Sequence, residues 1–487
     1  MEKNSFLSNL NKQATSGVKW MTVSTFFLVI TQIISTAVLV RLLKKSDFGL
    51  MAIVMVVKGF ADLFMDFGIT TAILHKQNIT QNQYSSLYWF NMLIGFVIYG
   101  LIYLSTPTIS RFYGQEELIK LIPLMCLAIP FSSIGRQQKI FLQKELYFKQ
   151  IAVTDIVSAF LGLCSAICLA YAHWGVYALV ISNLVRYTVG NIIYFFLGIW
   201  RMPIVLHLSF AETLPFLKIG GYHTVSQIVN YFTTSFDVLI IGKLLGTDSV
   251  GIYNLAKDLV LKPASLIDPI TSKVATPIFS KLQNDKEKLK KNFFFVQKLV
   301  SNLNGLVYLG LFALANPFVS LYYGNSYHEC VHLVQILALY YFLRQYGDSI
   351  GMICIAKGRT DIDMWWNLIV VCITPFFVLL GSLYSIQIVT LALLLGQLLL
   401  SYPGWYMYTK KLLGIPFLKY YESFFCTVLI FILPIVVSLV LIYFLSFPAL
   451  FTFLISGFLF TATAFFILWI FERTFIRNLL LTMKGEE

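Results

Sequence analysis

The stretch FGLMAIVMVVKGFADLFMDFGITTAIL, residues 48–74, decides the class of this protein. It is long enough to cross a bilayer, whose ~30 Å of hydrocarbon takes about 20 helical residues, yet it carries Lys58, Asp62 and Asp66. A charge at the centre of a membrane helix costs roughly 2.5 to 3.5 kcal/mol on insertion scales, so such a charge marks a functional site by default. The competing reading is a buried helix of a soluble protein. Composition decides between them: the 487 residues are 58% hydrophobic and only 12% charged, whereas soluble domains are about 25% charged.

Apolar runs of similar length recur, separated by short polar breaks, from Trp20 to Phe471. We count fourteen spans, among them residues 48–73 (second), 118–135 (fourth), 175–199 (sixth), 219–241 (seventh), 250–278 (eighth) and 331–356 (tenth). The chain therefore reads as an all-α integral membrane protein with about fourteen transmembrane helices. A transmembrane barrel would instead alternate over about ten residues per strand. Lys3, Lys12 and Lys19 precede the first run; that run is longer than the 7 to 15 residues of a signal peptide and no A-x-A site follows, so it reads as a retained anchor. The seven cysteines are odd in number and all but Cys330 fall in spans, which argues against a disulfide scaffold.

The cations orient the chain. With the N-terminus in the cytoplasm, twenty-five of the 36 Lys and Arg residues fall in inner segments and six in outer ones, the bias of the positive-inside rule, with both termini cytoplasmic. The formal charge of +13 is thus a topology signal and an attraction to anionic membrane lipid; it does not imply nucleic acid. Five cations remain inside spans: Lys58, Arg186, Lys257, Lys262 and Arg344.

The chain repeats itself. RLLKKSDFGL (41–50) and KLLGTDSVGI (243–252) share a basic residue, two leucines and a glycine at an offset of 202, and Asp66 and Asp268 share that offset. TPTISRFYG (106–114) matches NPFVSLYYG (316–324) at an offset of 210. Two matches in one order point to duplication. The expected organisation is two pseudo-symmetric six-helix lobes plus two C-terminal helices: residues 1–200, 201–410 and 411–487. Parallel repeats of this kind place substrate near the midplane between halves and alternate access by rocking.

Lys58, Asp62 and Asp66 are spaced by four and so line one helical stripe. The eighth span carries Lys257, Asp258, Lys262 and Asp268; Arg186 lies in the sixth, Arg344 and Asp348 in the tenth. Two readings stand side by side. Intramembrane charges commonly pair with each other, as Lys58 with Asp62, Asp258 with Lys262, and Arg344 with Asp348. Alternatively the five cations bind an anionic headgroup such as pyrophosphate, for which guanidinium offers a bidentate fork and lysine a mobile charge. The aspartates then serve as partners or gates.

HECVH (328–332) matches the H-E-x-x-H zinc-protease pattern literally, but no further ligand stands out at the zincin spacing, and an external turn is the better reading. No Walker A motif or dinucleotide fingerprint occurs. No metal or other cofactor is expected; coupling to a proton or sodium gradient stays open.

LVRLLKKSDFGLMAIV (39–54), LIKLIPL (118–124) after RFYG, FDVLIIGKLLG (236–246), VGIYNLAKDLVLKP (250–263), VATPIFSKLQ (274–283) and IAKGRTDI (355–362) resemble the polysaccharide-transport branch of the multidrug/oligosaccharidyl-lipid/polysaccharide exporter superfamily, the Wzx-type flippases. The resemblance implies a fourteen-helix bundle in a bacterial cytoplasmic membrane, moving polyprenyl-pyrophosphate-linked oligosaccharide to the outer leaflet without enzymatic chemistry, in company with a polysaccharide polymerase and a chain-length regulator. It carries no fixed binding motif onto the five cations. A cation-coupled drug antiporter of the same superfamily is the alternative, and a membrane glycan polymerase or ligase a more distant one.

Overall fold

A computed structural model describes residues 2–66, 73, 79–444 and 447–473. Among them there is helix and no strand. Eleven stretches are long and apolar enough to cross a membrane, and three more helices, of 35, 36 and 28 residues, are long enough while carrying Asp237, the charges from Lys257 to Asp268, and Arg344 with Asp348. The protein is an all-α, multi-pass membrane protein.

The chain divides into two compact units, Met1–Gly251 and Ile252–Glu487. In the first, α1 (Glu2–Leu42), α2 (Lys45–Asp66) and α3 (Gln81–Tyr113) are followed by α4 (Leu118–Cys126), α5 (Ala128–Lys144), α6 (Phe148–Tyr171), α7 (Val176–Ile199) and α8 (Phe210–Leu244). Helix α9 (Gly246–Lys281) begins in the first unit and runs into the second. The second continues with α10 (Lys286–Asn304), a π-helical turn (Gly305–Leu309), α11 (Gly310–Tyr322), α12 (Glu329–Ala356), α13 (Thr360–Ser382), α14 (Ile386–Trp405), α15 (Phe417–Phe444) and α16 (Ala449–Phe471).

Local chemistry sets the ends. Thr80 accepts from Gln83 N while the Gln83 side chain accepts from Thr80 N, a capping box that starts α3, satisfying two of the backbone donors a helix start leaves open. Gly114 ends α3 at φ 67°, and Gly324 follows α11 at φ 88°, a left-handed conformation that glycine adopts without a Cβ penalty. These are the two glycines matched at the offset of 210.

The other repeated glycines do different work. A Cβ on Gly49 would lie 1.9 Å from the Thr247 carbonyl oxygen, and one on Gly251 would lie 2.0 Å from that of Lys45. At the offset of 202 these contacts are each other's images, so the starts of α2 and α9 cross backbone to backbone through the duplicated glycine. The packing order repeats as well: α5 and α6 both pack on α7 in the first unit, and α12 and α13 both pack on α14 in the second.

One boundary differs from the sequence reading. The fourth span does not stop at Gly135; it continues through α5 to Lys144, which takes Arg136 out of a polar break and into a helix. The polar run after Gly135 is partly bonded within the bundle, with Gln137 Oε1 and Gln138 Nε2 left without a partner among the described residues. Gln137 Nε2 donates to the Tyr84 carbonyl at 2.7 Å, Tyr84 Oη donates to Gln138 Oε1 at 3.1 Å, and both glutamines are fully buried. Buried polar groups so bonded do not force a helix to end.

Candidate functional site

In the first unit the charges of α2 converge with α5 and α7. Lys58 is 4% exposed, and its ammonium donates to Asp62 Oδ2 at 2.6 Å, the spacing of four bringing the two groups together along one face. The same ammonium lies 3.8 Å from the centre of the Tyr187 ring on α7, within cation–π range. Among the described residues Asp62 Oδ1 accepts no hydrogen bond, and Arg136 Nη2 of α5 stands 3.6 Å from it. Two cations thus face one carboxylate, with an aromatic face closing over Lys58. Helix α2 is described to Asp66, but the side chain of Asp66 lies outside the described residues, as do residues 67–72 of the expected span.

Arg186 is exposed on α7, one residue before Tyr187. Its stem packs on Gly162 of α6, where an added Cβ would approach the Arg186 Cβ to 3.1 Å. Among the described residues no hydrogen bond or ion pair reaches its guanidinium.

The second unit holds a looser cluster on α9 and α12. Asp258 and Lys262 lie in each other's electrostatic field, but among the described residues they form no contact ion pair. Lys262 Nζ is 5.7 Å from the Tyr322 ring centre and Lys257 Nζ 5.9 Å from that of Tyr253. On α12, Arg344 Nη1 donates to Tyr340 Oη at 3.4 Å and its guanidinium lies 5.9 Å from the Tyr341 ring. Asp268 Oδ2 accepts from Gln345 Nε2 at 3.1 Å. Asp348, one turn beyond Arg344, is exposed and within the field of both Arg344 and Asp268. No contact ion pair joins Arg344 to Asp348 among the described residues.

The two histidines of HECVH are exposed at the start of α12, with His328 in the cap position and Glu329 the first helical residue. Among the described residues no group of three His, Cys, Asp or Glu side chains gathers there or elsewhere.

The sequence pattern of the polysaccharide biosynthesis protein family matches residues 38–332. The chain belongs to that family. It is 29% identical over 418 residues to the lipopolysaccharide biosynthesis protein WzxC of Escherichia coli (strain K12), covering 85% of each chain. To the teichuronic acid biosynthesis protein TuaB of Bacillus subtilis (strain 168) it is 28% identical over 363 residues, 74% of this chain and 75% of that one. In fold it matches the lipid II flippase MurJ in an inward closed conformation with a TM-score of 0.75, over 93% of this chain and 99% of that one, at 17% identity. The resemblance to the Wzx-type exporters is thereby borne out.

What the sequence reading did not single out is the aromatic neighbour of four of the five cations. Tyr187, Tyr253, Tyr322 and Tyr341 face Lys58, Lys257, Lys262 and Arg344 in turn. Tyrosine is enriched at membrane interfaces in any case, so the 27 tyrosines carry little signal as a total. Position would have found two of them: Tyr253 precedes Lys257 by four and Tyr341 precedes Arg344 by three, both helical neighbours.

Proposed function

We propose that the protein is a flippase that carries a polyprenyl-pyrophosphate-linked oligosaccharide from the cytoplasmic to the outer leaflet of a bacterial inner membrane by alternating access. Its product feeds surface polysaccharide assembly, and both termini lie in the cytoplasm. The family and its polysaccharide-biosynthesis relatives supply the substrate class. The single observation that carries the mechanism is the cation excess around Asp62: Lys58 and Arg136 face one carboxylate inside membrane-length helices, with Arg186 unpaired one residue from Tyr187. A pyrophosphate can take the place of Asp62 against Lys58 and accept from Arg136 without any cation being newly buried, and charge-assisted hydrogen bonds of this kind contribute about 1.5 to 3 kcal/mol each.

Lys257, Lys262 and Arg344 serve as further contacts along the path. Each stands near an aromatic face, Tyr253, Tyr322 and Tyr341 in turn. Asp258, Asp268 and Asp348 hold those cations between cycles or couple movement to a proton or sodium gradient. No bond is made or broken and no cofactor takes part; a polysaccharide polymerase and a chain-length regulator act downstream.

The test is a strain depleted of the protein. It should accumulate lipid-linked oligosaccharide on the cytoplasmic side and lose surface polysaccharide. Unchanged surface polysaccharide without accumulation overturns the reading, as does glycosidic bond formation by the purified chain.

A further inference from the structure

Within the first unit an apolar cavity of about 610 Å³ lies among α2, α3 and α8. Its wall is built from three helical stripes: residues 56–64 of α2, 94–109 of α3 and 231–239 of α8. The α3 stripe advances by three or four residues at a time, from Ile94 through Ile98, Leu101 and Ser105 to Ile109, so it runs about 22 Å along one helix face. That is most of the ~30 Å hydrocarbon thickness. The cavity is therefore a slot along the axis of α3, a shape suited to a chain.

The slot is also apolar. Its polar lining groups are Ser105, Tyr231 and Ser235. Ser105 Oγ donates to the Leu101 carbonyl at 2.7 Å, and Tyr231 Oη donates to the Val56 carbonyl at 2.7 Å. Ser235 is engaged with Tyr231. What the slot presents is hydrocarbon and aromatic ring.

Helix α2 serves both features. Val57, Ala61 and Phe64 face the slot, while Lys58 and Asp62 follow Val57 and Ala61 by one residue, about 100° around the helix. One helix thus carries an apolar slot on one face and a buried cation on the adjoining face, which complements an amphiphile with an anionic head and a long hydrocarbon tail. We propose that this slot holds the polyprenyl chain of the transported lipid while the pyrophosphate is at Lys58. The proposal rests on the flippase reading and adds to it the place of the tail.

The full-length chain, purified into bilayer nanodiscs of phosphatidylethanolamine and phosphatidylglycerol, is photolabelled with a polyprenyl pyrophosphate bearing a diazirine in its tail, and the adducts are mapped by mass spectrometry. Saturable binding with adducts concentrated on residues 94–109 and 231–239, displaced by unlabelled polyprenyl pyrophosphate and not by equal phospholipid, is the expected result. Leu101→Trp, at an exposed lining position, should cut slot adducts at least fivefold. Saturable binding with adducts elsewhere overturns the slot and leaves the flippase reading intact. Adducts displaced equally by phospholipid also overturn it, since the slot then holds ordinary bilayer lipid. No saturable binding at all removes the flippase reading and the slot together.

Discussion

Helices α2 and α9 start from the same duplicated sequence and both place a lysine and an aspartate four residues apart, yet they use the pair differently. On α2 the acid follows the lysine, and Lys58 bonds Asp62 directly at 2.6 Å. On α9 the acid precedes it, and Asp258 and Lys262 share a field without touching. Pro263 follows Lys262 immediately, and proline removes a backbone donor and disturbs the preceding turn. Equal spacing therefore gives a locked pair in one copy and a loose one in the other. In the locked copy a second cation, Arg136, stands 3.6 Å from the acid; in the loose one Lys257 and Lys262 act on Asp258 through the field.

The largest expected break in this contrast is Asp62→Ala. It leaves Lys58 buried without its partner beside Arg136, and removing one member of a buried pair costs on the order of 3 to 5 kcal/mol. Asp258→Ala, which breaks no contact ion pair among the described residues, should cost clearly less. Thermal unfolding of the purified variants in detergent checks this; equal losses would erase the distinction between the two stripes.

Next comes Lys58→Met, which keeps the stem and removes the charge. Losing one charge-assisted contact of about 1.5 to 3 kcal/mol predicts roughly ten- to a hundredfold weaker binding of a polyprenyl pyrophosphate, measured by titration, with Lys262→Met weaker in effect. A larger loss at Lys262 would reverse the roles assigned to the two copies.

Gly49→Ala and Gly251→Ala test the duplication itself. Each forces a Cβ against a backbone carbonyl, and overpacking of this kind costs about 1 to 3 kcal/mol. Because the contacts are reciprocal, the two variants should lose similar stability in the same unfolding assay.

The smallest effect lies outside the spans, at Asp285, which caps α10. Its side chain accepts from Lys288 N at 3.1 Å, and this bond, with the Lys288 ammonium 3.3 Å away, holds the carboxyl below its usual range. A depressed carboxyl contributes stability above the unfolded value near 3.9 that is lost as pH falls through the lower folded value. Amide-exchange protection at Lys288 should therefore fall as pH drops below about 4, and Asp285→Asn should flatten that dependence.

Much of the architecture was legible because a bilayer imposes one length on every crossing helix, and the Lys58–Asp62 pair because spacing four is a local fact. The helix running past Gly135 was not legible because hydropathy counts Gln137 and Gln138 as polar without seeing that each finds one partner in Tyr84. The expected contacts between Asp258 and Lys262 and between Arg344 and Asp348 rested on the same spacing rule, but Arg344 turns to Tyr340 instead. Which ring or carboxylate a long side chain chooses depends on neighbouring helices, and that choice is invisible along a single helix.

The most direct measurement is transbilayer movement in proteoliposomes holding the purified full-length chain and a fluorescent polyprenyl-pyrophosphate-linked oligosaccharide, read by quenching from outside. Movement well above that of protein-free vesicles, reduced about tenfold or more by Lys58→Met in correctly folded protein, is the predicted result. Movement at the protein-free rate, or a Lys58→Met variant that moves the lipid as fast as the unaltered chain, would contradict it.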